Sequence, residues 1–173
     1  MAHLVALVGG ECTGKSTLAA ALADELPGHL VPEALRVWTT QHGRTPLAHE
    51  QREIARLQVA AEDAARRDRE WVICDPATLM TAVYSELYFE DTSLTEEALA
   101  HADAAYKCIV WCDIDLPWTA EPGIRDGIEW RAKAHDALAV LLPRLTVPVH
   151  MAHGPVDTRV ATTVSYLRSL FEK

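Results

Sequence analysis

Gly9-Gly10-Glu11-Cys12-Thr13-Gly14-Lys15-Ser16, followed by Thr17, is a glycine-framed loop that ends in a lysine and two hydroxyls. It fits the pattern G-x-x-x-x-G-K-[ST] at every fixed position. Glycines let the backbone curl until successive N–H groups point inward, an arrangement that suits phosphate oxygens. A helix starting at the loop adds its unpaired N–H groups and the positive end of its dipole. Lys15 would reach the outer phosphates as a mobile charge, Ser16 would ligate magnesium and Thr17 would add a phosphate hydrogen bond. Glu11, Cys12 and Thr13 belong to the same loop. The expected ligand is a nucleoside triphosphate, ATP, with Mg2+.

Two acids stand where such a site needs them. Asp75 follows the apolar run Trp71 to Cys74. A carboxylate ending a buried strand can hold magnesium opposite Ser16. Its alternative role is to cap a helix that Pro76 would start. Glu33 follows a shorter run, where it can orient or deprotonate an acceptor hydroxyl. Arg36 is three residues on and would share a helical face with Glu33, at the acceptor or in a surface ion pair. Trp38 offers an aromatic face for a substrate ring, or is a core or rim tryptophan.

A loop rich in Pro and Gly runs from Pro117 to Gly127. With Trp118, Arg125 and Arg131 it reads as a lid, about residues 116–131. Trp118 would stack on a base. Arg125 and Arg131 would close on the transferring phosphoryl group and exclude water. Salt bridges to Asp126 and Glu129 are the alternative for these arginines.

The elements that would position these residues alternate. Strands are expected at His3–Val8, Gly28–Pro32, Trp71–Asp75, Tyr106–Cys112 and Val147–Met151. Helices are expected at Ser16–Leu26, Leu47–Glu70, Pro76–Phe89, Thr95–Asp103, Ile128–Leu142 and Val156–Phe171. In the long helix Ile54, Leu57, Ala61 and Ala64 or Ala65 form the apolar stripe. Strands separated by helices predict a parallel five-stranded sheet with helices on both faces, a three-layer α/β fold. Ligands of open α/β sheets bind beyond the carboxyl ends of the strands, where Glu33, Asp75 and the lid all fall.

The chain of 173 residues suits one domain, 1–173, with an ordinary globular composition of 49% hydrophobic residues. Its net charge of −9 argues against a nucleic-acid partner held by phosphate neutralisation. No apolar stretch reaches membrane-spanning length. The four cysteines form no C-x-x-C pair, so the chain reads as reduced and cytoplasmic. Cys74, Cys108 and Cys112 read as core thiols, and Cys12 as a reactive thiol near a helix N-terminus. The histidines have no ligand spacing and read as surface or loop residues.

The P-loop resembles the Gly-Gly-Glu-Ser-Ser-Gly-Lys-Ser-Thr-Leu loop of the nicotinamide riboside kinase domain of bacterial NadR proteins. Glu33-Ala-Leu-Arg36 resembles that family's Glu-x-x-Arg. The segment from Asp75 to Thr81 resembles its Asp-Thr-Asp-x-x-Thr-Thr, with Ala77 in place of the second acid. The segment from Leu116 to Arg125 resembles its Thr-Pro-Trp-x-x-Asp-Gly-x-Arg. The resemblance implies a P-loop kinase fold and ATP-dependent phosphorylation of the 5′-hydroxyl of nicotinamide riboside. It also implies a free-standing kinase domain, because 173 residues leave no room for the family's DNA-binding and adenylyltransferase segments. Two other readings stay open: the same chemistry on another nucleoside or small alcohol, and a nucleotide-sensing regulatory ATPase. A GTPase-type switch is disfavoured, since no Asn-Lys-x-Asp motif is present.

Overall fold

Along strand β1 (His3–Val8) every second side chain enters a different core. Leu4, Ala6 and Val8 pack into one, and Val5 and Leu7 into the other. A strand buried on both faces needs this continuous apolar run. The computed structural model describes residues 2–67, 69–119 and 127–171. β1 is the middle strand of a parallel five-stranded sheet ordered β2-β3-β1-β4-β5, with β2 at His29–Val31, β3 at Trp71–Cys74, β4 at Cys108–Cys112 and β5 at Val149–Ala152. Both edge strands are short. Pro148 lies just before edge strand β5, where its missing N–H costs nothing.

Helices α1 (Lys15–Glu25) and α7 (Val156–Phe171) pack against each other over one face of the sheet. Helices α4 (Leu79–Phe89), α5 (Thr95–Ala105) and α6 (Ile128–Leu141) contribute to the core on the other. The short α2 (Ala34–His42) packs against α3 (Gln51–Ala65). This is the expected three-layer α/β architecture. Among the described residues no helix is long and apolar enough to cross a membrane.

Three expectations need correction. Helix α4 begins at Leu79 with Thr78 as N-cap, so Pro76 is not in its first turn and Asp75 does not cap it. The Asp75–Pro76 peptide is cis, and Ala77 donates its N–H to the carbonyl of Leu7 on β1 at 2.9 Å. The chain thus stays tied to the sheet for two residues beyond Asp75 before it coils. Tyr106 caps the C-terminus of α5, and β4 starts only at Cys108. Finally, α3 does not bury the expected apolar stripe. Leu57 is 44% exposed, whereas Gln51, Ile54, Gln58 and Glu62 are buried.

Candidate active site

The P-loop leaves β1 at the point where the sheet's connections diverge, between β3 and β4. Gly9 has φ 147° and Gly14 φ 76°, values that L side chains rarely adopt. A methyl group on Gly9 would stand 2.9 Å from Thr13 Oγ1, and one on Gly14 would stand 2.9 Å from Leu116 Cδ1. The Thr13 hydroxyl closes the loop by donating to the Gly10 carbonyl at 2.8 Å. Gly14 is the N-cap of α1 and no side chain caps that helix, so its first-turn amides face the loop uncapped by the chain's own side chains. Glu11 and Cys12 are half-buried in the turn, and Ser16 and Thr17 are exposed on the first turn of α1.

Lys15 donates to the Gly10 carbonyl at 3.2 Å across the loop. Its charge reaches Glu33, which follows β2, and Cys112, which ends β4. Burial pushes the Glu33 carboxyl above its ordinary value of 4.5; Lys15 and Arg36 pull it down, and Asp75 pushes it up again. Lys15, Glu33 and Asp75 therefore meet within electrostatic reach at the carboxyl ends of β1, β2 and β3. Asp75 is only 8% exposed, and its N–H is fixed by the Val31 carbonyl at 3.0 Å. Arg36 is exposed, with Nε 3.9 Å from Glu33 Oε2, so the expected shared helical face is present as a loose ion pair.

A narrow cleft opens beside Glu33. Leu35, Gln51, Ile54, Ala77, Thr81 and Tyr84 line it with Glu33. Its free volume is about 10 Å³, room for roughly one water. Trp38 is the buried residue of α2, and Gln58 Oε1 holds the Ala34 N–H at the helix start at 2.9 Å. Trp38 itself is 2% exposed, stacked on His42 with ring centroids 3.8 Å apart, and Arg44 lies 5.0 Å from its ring centre. Of its two sequence readings, the structure shows the ring packed in the interior.

Trp118 and Arg131 lie on the other flank of the P-loop. Arg131 is buried and donates to the Leu116 carbonyl at 2.8 Å and to the Cys12 carbonyl at 3.4 Å. Its guanidinium also lies 5.5 Å from the centre of the half-buried Trp118 ring. The Thr119 N–H points at Cys12 Sγ at 3.4 Å, and that thiol points at the Pro117 carbonyl at 3.6 Å. Arg131 thus braces the segment from Leu116 to Trp118 on the P-loop. The alternative reading, an ion pair with Glu129, is not needed to explain its burial. Arg125, with Glu121, Asp126 and the rest of 120–126, lies outside the described residues. The three core cysteines are as expected, and burial pushes the Cys112 thiol up to about 11 and the Cys108 thiol up to about 12.

The family of proteins described as AAA domains matches residues 4–171. The chain belongs to this AAA-domain family. No curated protein matches this AAA domain by sequence. Among solved structures it is similar to NadR protein in complex with NR, with 21% identity and TM-score 0.75, over 99% of this chain and 52% of that one. A second NadR structure, in complex with NAD and AMP-PNP, is 19% identical with TM-score 0.75, over 99% of this chain and 50% of that one. The AAA domain therefore spans about half the length of those NadR chains. Thymidylate kinase from Ehrlichia chaffeensis is 14% identical with TM-score 0.68, over 96% of this chain and 98% of that one. The fold is that of P-loop kinases, and its NadR likeness agrees with the motifs read from the sequence.

Sequence reasoning missed one residue that holds the AAA domain's phosphate loop. Arg159 on α7 is 1% exposed. It donates to the carbonyls of Gly154 at 2.8 Å, Thr13 at 2.7 Å and Asp113 at 3.3 Å, and it pairs with the Asp115 carboxylate. Burial pushes the Asp115 carboxyl up, but the Gly154 N–H and the Arg159 charge outweigh it and hold the group below its ordinary value. Arg159 thereby ties the P-loop to the segments after β4 and β5. The Arg159→Met variant is expected to lose about 2–3 kcal/mol of stability, because several buried carbonyls lose their donor. Urea unfolding measures this; a midpoint shift equivalent to less than about 0.5 kcal/mol would mean that water replaces the guanidinium at no cost.

Proposed function

We propose that this chain transfers the terminal phosphoryl group of ATP to a hydroxyl of a small acceptor. The reading is carried by one observation: Lys15, Glu33 and Asp75 come within electrostatic reach of one another beside a cleft. In the proposed step the acceptor oxygen forms a bond to the γ-phosphorus as the bond to the bridging oxygen breaks. Glu33 takes the hydroxyl proton, and ADP departs with its new charge facing Lys15 and the loop amides. Positioning and electrostatics supply most of such a reaction, so this cast is sufficient. Ser16 and Asp75 would hold Mg2+: an exposed hydroxyl and a fixed carboxylate are the hard oxygen donors that this ion takes. The ion would neutralise phosphate charge. Arg131 keeps the lid stem and Trp118 against the P-loop, and Arg125 belongs to the same proposal as a stabiliser of the transferring charge.

The acceptor most favoured is the 5′-hydroxyl of nicotinamide riboside, on the strength of the motif resemblance and of the NadR likeness in fold. Ala77 favours a second reading, another nucleoside or a small alcohol. It lines the cleft where the family has an acid, so the wall there offers a methyl group and no carboxylate. The proposal extends to a small-molecule partner and a cytoplasmic setting.

The deciding experiment incubates the protein with ATP, Mg2+ and a panel of nucleosides that includes nicotinamide riboside. ADP release and product mass are followed. Release above the acceptor-free rate, with a product heavier by one phosphate, is expected for one nucleoside. Equal release with and without every acceptor would replace the kinase reading by that of a nucleotide-sensing ATPase.

A further inference from the structure

Helix α3 buries a polar stripe where its sequence offers apolar alternatives. Glu62, on that stripe, is 0% exposed. A carboxylate removed from water needs its lone pairs filled by donors. Tyr106 Oη donates to Glu62 Oε1 at 3.0 Å, and Gln58 Nε2 to the same oxygen at 3.2 Å. His101 Nε2 lies 3.2 Å from Oε2. Two of these neighbours hold a second element. Gln58 Oε1 accepts the N–H of Ala34 at 2.9 Å, the residue that follows Glu33. Tyr106 Oη accepts the N–H of Thr78 at 3.1 Å, in the segment that follows Asp75. Burial, and after it the Glu62 charge, push the Tyr106 hydroxyl and the nearby Cys74 thiol well above their ordinary values.

We propose that Glu62 is a positioning residue that fixes the loop carrying Glu33 and the loop carrying Asp75 relative to each other. Through Gln58 it holds the first turn of α2, and through Tyr106 it holds the N-terminus of α4. The two acids lie 42 positions apart in sequence; β2 and β3 pair directly as far as the Asp75 N–H, and the Glu62 tethers act beyond that pairing, at Ala34 and Thr78. Glu62 is not among the residues that line the cleft, so its effect on a bound acceptor must pass through these tethers. Its consequence for catalysis rests on the transfer reading above; the tethers themselves do not.

Amide hydrogen exchange on the unliganded full chain tests the tethers directly. Glu62→Gln replaces one acceptor oxygen by an amide donor, removing the charge that Tyr106 and Gln58 donate to, and is expected to speed exchange at both Ala34 and Thr78 by about 10-fold or more. Tyr106→Phe keeps the ring and is expected to speed Thr78 while leaving Ala34 unchanged. If Glu62→Gln does not fold, the Tyr106→Phe pattern decides alone. Unchanged exchange at Thr78 in Tyr106→Phe, or acceleration spread evenly over the central strands, would overturn the proposal and leave Glu62 a general packing residue. In turnover, Glu62→Gln is expected to lower kcat about 10-fold or more, since small displacements of reacting groups are costly. Its affinity for a non-hydrolysable ATP analogue should stay within about two-fold, because the P-loop is braced separately by Arg159 and Arg131. Unchanged kcat in a variant with loosened tethers would likewise overturn the positioning role. Wild-type protein that phosphorylates no acceptor but shows the Thr78 and Ala34 pattern would refute the kinase reading and retain the tethers.

Discussion

Lys15→Ala is expected to lower phosphoryl transfer by about three orders of magnitude while leaving the fold nearly intact. The asymmetry follows from what Lys15 touches. Among the described residues its ammonium hydrogen-bonds to the Gly10 carbonyl at 3.2 Å, part-buried, and such a bond contributes roughly 1 kcal/mol to folding. Its charge, by contrast, faces the uncapped start of α1 and the acids Glu33 and Asp75. Without the cation Glu33 keeps only the loose Arg36 contact among the charges that pull it down, and the proposed phosphate site loses its lysine. The loss should therefore appear in ATP affinity as well as in kcat. ADP release at saturating acceptor, with thermal unfolding run alongside, separates the two effects. A variant that keeps its rate would remove this loop from the phosphate site. A variant that loses its rate only because it unfolds would show a large fall in melting temperature.

The sequence made this half of the site legible because its signal is local. Nine consecutive residues, from Gly9 to Thr17, carry the loop, and each strand is a short apolar run. Parallel order and helix placement then follow from alternation. Residues whose role depends on distant partners were not legible. Arg159 bonds to Thr13 across 146 positions, yet in sequence it looks like any exposed arginine of an amphipathic helix. Glu62 and Gln58 carry no apolar signal, and the hydrophobic period pointed instead to Leu57. The period misled because α3 covers polar backbone at the starts of α2 and α4 as well as core, so its buried stripe carries hydrogen-bonding side chains. His101 was set aside as a surface residue for the same reason: its partner Glu62 lies on another helix. The lining of the cleft by Gln51, Thr81 and Tyr84 has no sequence pattern, since three separate segments meet there. The start of α4 was misplaced because Pro after Asp reads as a helix opening, whereas a tether from Ala77 to β1 holds the chain extended.

Glu33→Gln is expected to lower kcat about 100-fold at neutral pH and, at the same time, to raise stability. Burial sets the direction of both effects. It lifts the Glu33 carboxyl above 4.5, and the opposing pull of Lys15 and Arg36 does not cancel it. The Arg36 contact is weak, at 3.9 Å with the arginine side chain 76% exposed, so its loss in the variant costs little. A proton acceptor must be ionised to act. The wild-type rate should thus rise with pH through a limb whose midpoint lies above 4.5, and Glu33→Gln should lack that limb. Stability runs the other way. A carboxyl whose folded value exceeds its unfolded value favours folding while protonated, and that contribution is lost as pH rises through the folded value. Glutamine stays neutral throughout, so the variant should gain on the wild type as pH rises and the two should converge toward pH 4. Unfolding midpoints at pH 4 and pH 7, taken with the kcat–pH profile, test both signs. A variant with full kcat removes Glu33 from the proton path. A variant less stable than the wild type at pH 7 would mean that ion pairing with Lys15 outweighs burial, and the buried-base argument would fall with it.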